Sequence, residues 1–433
     1  LAISSYMSAA PLNPSYKSEE YEFYLKDLNP KIVLVEKNSE NPVVDVAKKL
    51  KIELCEIYPE KDGPSGIFNI YEKESEYSLP DESDEALVLH TSGTTSRPKI
   101  VPLTNKNIFS SAENISKSLN LSENDHCLNI MPLFHIHGLI AILASSMKAG
   151  ASVCTSNGFN AIKFLDLAKS EKITWYSGVP TMHQTILLRA HRNLEIAKGL
   201  KLRLIRSSSA SLPPAVFNDL NDVFSCPVIE AYGMTEATHQ MTSNPLPPKQ
   251  QKAGFVGLPA GPEVCIMNEN GEVLKQGDEG EVCIKGENVT LGYDNNEEAN
   301  KTSFTNGWFR TGDQGYFDKE GYLKISGRLK EIINKGGEKI SPLEVDNVLM
   351  DHPFIDQAVC FGYDDKMLGE NIASAIIIKR GETCSENDVL EYAQEKLAKF
   401  KIPKKIFFVE EIPKGATGKL QRNVLAKKFG LNN

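Results

Sequence analysis

Apolar β-branched runs at Lys31–Val35, Ala86–His90 and Cys127–Met131 alternate with stretches of helical period at Asn105–Leu119 and Gly138–Lys148. Strands separated by helices predict a largely parallel sheet with covered faces. The rhythm continues through a helix at Ala161–Ser170, a strand at Ile173–Tyr176, a helix at Pro180–Ala190, a strand at Leu202–Ser207, a helix at Pro213–Phe224 and a strand at Val228–Tyr232, so the sheet is large. After about Lys252 the runs shorten and are broken by Gly, at Val264–Met267, Gly280–Lys285 and Gly315–Ile325, which predicts a smaller β-rich module. The last hundred residues return to αβ alternation: a helix at Pro342–Met350, strands at Ile355–Tyr363 and Ile372–Lys379, a helix at Glu386–Ala398 and a strand at Lys405–Val409. They read as a separate small α+β domain. The fold class is α/β, with no internal repeat and one polar stretch, Glu72–Ser83, that reads as a solvated loop.

Composition narrows the function. The 433 residues carry 48 Lys+Arg against 57 Asp+Glu, a net charge of -9 with no basic tract, which argues against a nucleic-acid protein. The longest apolar stretches, Gly138–Ala144 and Ile372–Ile378, fall far short of the roughly 20 residues of a membrane helix. Eight scattered cysteines without a CxxC pair read as reduced thiols in a cytosol-like compartment. Leu1 opens directly into an apolar segment, as if the chain were entered partway through a domain; no signal-peptide pattern precedes it, and the C-terminus does not spell a Ser-Lys-Leu type address. The expected location is cytoplasmic.

Four stretches carry candidate chemistry. Thr91-Ser92-Gly93-Thr94-Thr95-Ser96-Arg97-Pro98-Lys99 follows a strand with small and hydroxyl residues whose backbone N–H groups can wrap an anion, Lys99 adding a charge; the plain alternative is a turn. Glu230-Ala231-Tyr232-Gly233-Met234-Thr235-Glu236 ends another strand, where α/β sheets bind ligands. There Tyr232 could stack on a base, Thr235 bond a phosphate oxygen and Glu236 hold Mg²⁺, or the segment could be a solvated strand end. Trp308–Asp313 sets an acid behind a Gly turn, suited to ribose hydroxyls, with Arg328 as a further donor; singly these are common surface residues. Pro413–Lys419 is a Gly-flexed loop presenting Lys419, either a solvated basic loop or a mobile cation for a phosphate in transfer.

In this order and spacing the four stretches resemble the adenylate-forming superfamily of acyl-CoA synthetases, peptide-synthetase adenylation domains and beetle luciferases, over the whole chain. The resemblance implies a large N-terminal lobe of parallel αβ subdomains with a β-barrel-like module (residues 1–328) and a small mobile C-terminal α+β domain (residues 329–433). It implies ATP, Mg²⁺ and coenzyme A: an acid would attack the α-phosphate of MgATP to give an acyl-adenylate, and a thiolate would then displace AMP. By position, Thr91, Ser92, Gly93, Thr94, Thr95 and Lys99 would cradle the β- and γ-phosphates, and Tyr232 would face adenine with Glu230 and Ala231 beside it. Thr235 would meet the α-phosphate, Glu236 the Mg²⁺, and Asp313 and Arg328 the ribose, while Lys419 would bridge the acid and the α-phosphate. The C-terminal domain would swivel about Lys330, and Gly336 and Gly337 would then let the pantetheine arm approach. The family's opening stretch, of some tens of residues, is missing from this sequence. Family members can be peroxisomal, and a monomer or homodimer is expected.

Pro132–Gly138, Arg206–Ala210 and Glu236–Asn244 resemble the oxalate–CoA ligases of plants and fungi. These stretches line the acyl pocket in the superfamily. A greasy acid needs apolar walls, because each unpaired polar group facing it costs roughly 1–3 kcal/mol. His137, Ser207, Ser209 and His239 instead suit a short dicarboxylate, unless the two histidines are core residues; His135 would stand beside the carboxylate. Trp175 and Tyr176 would either shorten the pocket or belong to the core. Medium-chain or aryl acid–CoA ligation, loading of a separate carrier protein, and nucleotide binding without turnover are the rival expectations.

Overall fold

The computed structural model describes residues 2–59, 67–70, 79–91, 98–156, 158–415 and 420–431. They form two compact units, Leu1–His90 with Pro102–Asn105, and Thr91–Val101 with Lys106–Asn433. In the first, strands Ile32–Glu36 and Glu53–Pro59 pair in parallel across the helix Val43–Leu50, and Phe68–Ile70 joins antiparallel. Tyr21 and Leu25, one turn apart on the helix Ser18–Leu28, and Val43, Val46 and Ala47 close over Val33. Of the Glu72–Ser83 loop only Leu79–Ser83 is described, without helix or strand.

The second unit is built on a seven-stranded sheet, in the order Leu258–Pro259, His239–Ser243, Val228–Met234, Leu204–Ser207, Trp175–Gly178, His126–Asn129, Ser152–Thr155. The last five strands are parallel, as the alternation predicts, while His239–Ser243 and Leu258–Pro259 turn back antiparallel. Parallel strands covered on both faces are buried along their length, as Trp175–Gly178, Leu204–Ser207 and the start of Val228–Met234 are residue by residue, with Ser177, Arg206, Ser207 and Glu230 as polar exceptions in these apolar runs. On one face Leu128, Tyr176, Ile205 and Val228 pack under the helices Ala161–Ser170, Pro180–Ala190 and Pro214–Phe224. Tyr176 and Trp175 are both fully buried, which assigns them to the core. The stretch read as one helix, Gly138–Lys148, starts as a π-helix at His137–Ala144 and tightens to an α-helix only at Ser145–Lys148. Gly138 is demanded there, since a Cβ would lie 2.4 Å from the carbonyl oxygen of Pro132.

The β-rich module is a five-stranded antiparallel sheet of Glu263–Met267, Gly280–Lys285, Phe304–Thr305, Trp308–Phe317 and Leu323–Arg328. Here the sequence reading needs correction. Gly315–Ile325 is not one strand but a hairpin whose turn is pinned by the Asp318 carboxylate accepting from Glu320 N and Tyr322 N, both at 2.9 Å. The C-terminal sheet comprises Glu338–Ile340, Ile333–Lys335, Gly369–Ile378, Ile355–Asp365 and Lys405–Phe408. Alternation along its central strands buries both faces: Ala358, Cys360, Ile372 and Ile376 under the helices Pro342–Met350 and Glu386–Lys396, and Val359, Phe361, Ala373 and Ala375 against Leu425 and Ala426. Among the described residues no helix is long and apolar enough to cross a membrane.

Candidate active site

A cleft of about 500 Å³ opens in the second unit, beyond the strand end Val228–Met234. Thr91, Lys99, His135, Ser209, Thr235, Glu236 and His239 line it, with Arg328 and Lys330 and, from near the C-terminus, Arg422 and Asn423. A second cavity of about 260 Å³ is lined by Glu230, Ala231, Tyr232, Asp313, Arg328 and Leu420 among others. The position matches the rule that open α/β sheets bind ligands past the carboxyl ends of their strands.

On one side the carboxylates are paired. Asp313 and Arg328 face each other directly across the Trp308–Phe317/Leu323–Arg328 hairpin, with Arg328 Nε donating to Asp313 Oδ1 at 2.8 Å. Tyr232 OH donates to the other oxygen at 2.6 Å, so three elements converge on one carboxylate. Asp313 lies within the strand rather than behind a simple turn, the departure being confined to Gly312 at φ +74°. Glu236 is buried and accepts from Tyr293 OH at 2.8 Å; burial holds its carboxyl above the usual range. Lys99 Nζ stands 4.1 Å over the Tyr293 ring, an ammonium held by a π face, and burial lowers its pKa, Glu236 opposing and Lys330 reinforcing the shift. Thr91 N donates to Lys99 O, and Lys99 N to Thr91 Oγ1, so the chain closes on itself across this loop. Ser92, Gly93, Thr94 and Thr95 lie outside the described residues. Glu230 points away from this network: its Oε1 accepts from Leu212 N at 2.9 Å, and burial pushes its carboxyl up to about 8.

On the other side are histidines and serines. His137 is fully buried, its Nδ1 3.0 Å from Ser209 Oγ and its Nε2 2.7 Å from Ser177 Oγ. Both nitrogens are thus satisfied, and burial keeps the ring neutral. The His239 ring lies 4.9 Å from it, centroid to centroid. His239 Nε2 and Ser207 Oγ have no hydrogen-bond partner among the described residues. Ser209, Thr238 and His239 hold positive φ angles of 71°, 48° and 94°, where a non-Gly residue stores on the order of 1–3 kcal/mol of strain. Gly233 permits the bend, because a Cβ there would meet the His239 carbonyl oxygen at 2.0 Å. His135 Nδ1 accepts from His137 N at 3.2 Å.

Most residues singled out in the sequence are therefore brought together, but not all. Gly336 and Gly337, at φ +61° and +93°, form the turn between Ile333–Lys335 and Glu338–Ile340 and line neither cavity. Lys419 lies outside the described residues; on either side of its loop Lys414 and Leu420 bridge, and Gln421 N donates to Pro413 O. Arg422 anchors that segment, bonding Asp346 Oδ2 at 2.7 Å and Glu331 Oε2 at 3.2 Å. Three residues were missed. Tyr293 and Ser177 carry no local signal in the sequence, whereas Arg206 opens the Arg206–Ala210 stretch. It is fully buried, with Nη2 3.4 Å from His239 Nδ1 and 3.2 Å from Gln240 Oε1.

Comparison with known proteins agrees with this layout. Residues 3–294 match the family model of AMP-binding enzymes, and residues 344–419 that of the AMP-binding enzyme C-terminal domain. The chain is 48% identical over 430 residues to an oxalate–CoA ligase of Arabidopsis thaliana, covering 98% of this chain and 84% of that protein. It is 43% identical over 448 residues to the oxalate–CoA ligase of Saccharomyces cerevisiae, covering 97% and 82%. Among solved structures, ATP-bound MatB from Rhodopseudomonas palustris superposes with a TM-score of 0.87 at 30% identity, covering 97% of this chain and 83% of MatB. With its cleft at the strand ends, its paired carboxylates and its C-terminal segment reaching the same opening, this chain belongs to the family of AMP-binding enzymes.

Proposed function

We propose that the chain is an ATP-dependent acid–CoA ligase whose acid is oxalate. A free carboxylate is a poor acyl donor because its leaving group is an oxide. In the first step one of its oxygens attacks the α-phosphate of ATP, releasing pyrophosphate and leaving an acyl-adenylate. In the second the CoA sulfur attacks the acyl carbon and AMP departs.

In this reading Asp313 accepts from the ribose hydroxyls, held in place by Tyr232 and Arg328. Glu230, Ala231 and Tyr232 border adenine, Thr235 meets the α-phosphate, and Thr91 to Lys99 cradle the outer phosphates. Glu236 suits Mg²⁺: it is one buried carboxylate beside an open cleft, and Mg²⁺ commonly takes one or two protein carboxylates and completes its shell with phosphate oxygens and water. The ion would neutralise charge on the phosphates. Lys419 would bridge the acid and the α-phosphate, with His135 beside the attacking carboxylate. Leu420, Arg422 and Asn423 line the cavities while Gly336 and Gly337 do not, which supports an arrangement suited to adenylation. Swivelling at Lys330 would exchange the two for the CoA step.

The observation that carries the acid is the polar lining at Ser209 and the buried His239, where an aliphatic or aryl acid would need apolar contacts; His137, bonded to Ser209 and Ser177, is buried and does not itself line the cleft. The identity to two oxalate–CoA ligases supports the same acid. The test is pyrophosphate release from MgATP with oxalate, malonate, hexanoate or coumarate, with and without CoA. Release with oxalate, accelerated by CoA, is expected. Preference for hexanoate or coumarate would return the two histidines to the core, and thioester formation only on a carrier protein would remove CoA from the reaction.

A further inference from the structure

Arg206 is a fully buried cation that has no counter-ion among the described residues. Its contacts there are the neutral His239 and the amide Gln240, and its Nε and Nη1 and the neighbouring Ser207 Oγ find no partner among the described residues. Burial lowers its pKa to about 9, which still leaves it charged at neutral pH. A guanidinium has no acceptor site, so in its 3.4 Å contact with His239 Nδ1 it must donate. The imidazole, kept neutral first by burial and then by the Arg206 charge, therefore carries its proton on Nε2, the nitrogen that finds no acceptor among the described residues. His239 also contributes to the wall of the larger cavity, while Arg206 does not line it and meets it only through its contact with His239.

A buried charge that lacks a partner is strongly destabilising, and what is missing here is an anion with acceptor oxygens. We propose that Arg206 is a positioning and specificity residue for the acid: it holds His239 as an Nε2–H donor, and its uncompensated charge makes that end of the pocket select a dianionic acid. This rests on the reading of the substrate as a short dicarboxylate. The carboxylate that does not react would accept from His239 Nε2, and its charge would complete the electrostatics of Arg206 through the ring.

The test uses the purified whole chain as Arg206→Met and Arg206→Lys, alone and with His239→Ala, after the parent has been assayed on oxalate and hexanoate. Arg206→Met should raise KM for oxalate by about 10- to 100-fold, the range of one charge-assisted contact, and leave KM for ATP within about twofold. Its melting temperature should be equal or higher, because an apolar side chain replaces an unpaired buried charge. Arg206→Lys should recover part of the lost affinity. In the His239→Ala background Arg206→Met should add little; effects that simply multiply would overturn the coupling. A lowered melting temperature with both KM values raised would make Arg206 a structural residue and sink the proposal. If the parent turns over oxalate and Arg206→Met does not change its KM, this inference fails while the acid reading stands. If the parent uses no dianionic acid, the acid reading fails first and takes this inference with it.

Discussion

The two sides of the cleft handle charge in opposite ways. On the side proposed for the nucleotide three carboxylates are answered inside the protein: Asp313 by Tyr232 and Arg328, Glu281 by Arg310 and Gly312 N, Glu236 by Tyr293. On the side proposed for the acid, Arg206 Nε and Nη1, His239 Nε2 and Ser207 Oγ find no partner among the described residues, and Ser209, Thr238 and His239 are held at positive φ. The difference follows from what each ligand would bring. MgATP arrives with its own cation, and its ribose asks only for a rigid acceptor, so that side can be finished before binding. A dicarboxylate arrives with charge that must be desolvated, and only groups not already spent on one another can receive it. The folded state bears that cost at the acid side and recovers stability elsewhere.

The largest effect is expected from a group that would serve both sides. Lys419→Ala should lower acyl-adenylate formation by about 10²- to 10³-fold, the scale of one lost electrostatic contact in a transition state, while leaving thioester formation from supplied adenylate nearly intact. Equal loss in both half-reactions, followed by quenched flow, would remove Lys419 from the bridging role. Next, Asp313→Asn should break the self-paired side: the charge facing Arg328 and one of the two accepting oxygens are lost, KM for ATP rises, and chemical denaturation shows a loss of about 1–2 kcal/mol, kept modest because Arg328 is partly exposed. A variant as stable as the parent would erase the contrast with Arg206→Met. A pH effect separates Glu230, whose folded-state pKa of about 8 lies above its ordinary 4.5. Because the folded state holds this proton more tightly, its contribution is complete below about pH 4.5 and is lost as pH rises through 8. Glu230→Gln should flatten the fall in stability between pH 5 and 8, by up to about 3 kcal/mol. An unchanged profile would mean that Glu230 ionises freely.

Much of the fold could be read from one dimension. Helices Ala161–Ser170, Pro180–Ala190 and Pro342–Met350 and strand Gly280–Lys285 lie at their expected bounds, because apolar period and Pro at the first helical turn are local signals. The Gly315–Ile325 hairpin was misread because Asp318–Gly321 lies between two apolar runs, and periodicity does not separate a strand from a tight turn flanked by strands. The π-helical start at His137 left no trace in the pattern, since its cause is the close approach of Gly138 to Pro132.

For the site, the sequence by itself determined the residue types and their order: the hydroxyl-rich Thr91–Lys99 loop, Tyr232 to Glu236, Asp313, Arg328 and the loop bearing Lys419. Tertiary structure decided which of them touch. Asp313 meets Arg328 because of hairpin register, Tyr293 reaches Glu236 across 57 residues, and His137 meets Ser177 across 40. It also decided that Arg206 meets no counter-ion among the described residues, which no local pattern announces: whether a charge is neutralised depends on every strand packed around it, and burial, which sets the cost of leaving it bare, is a property of the assembled fold.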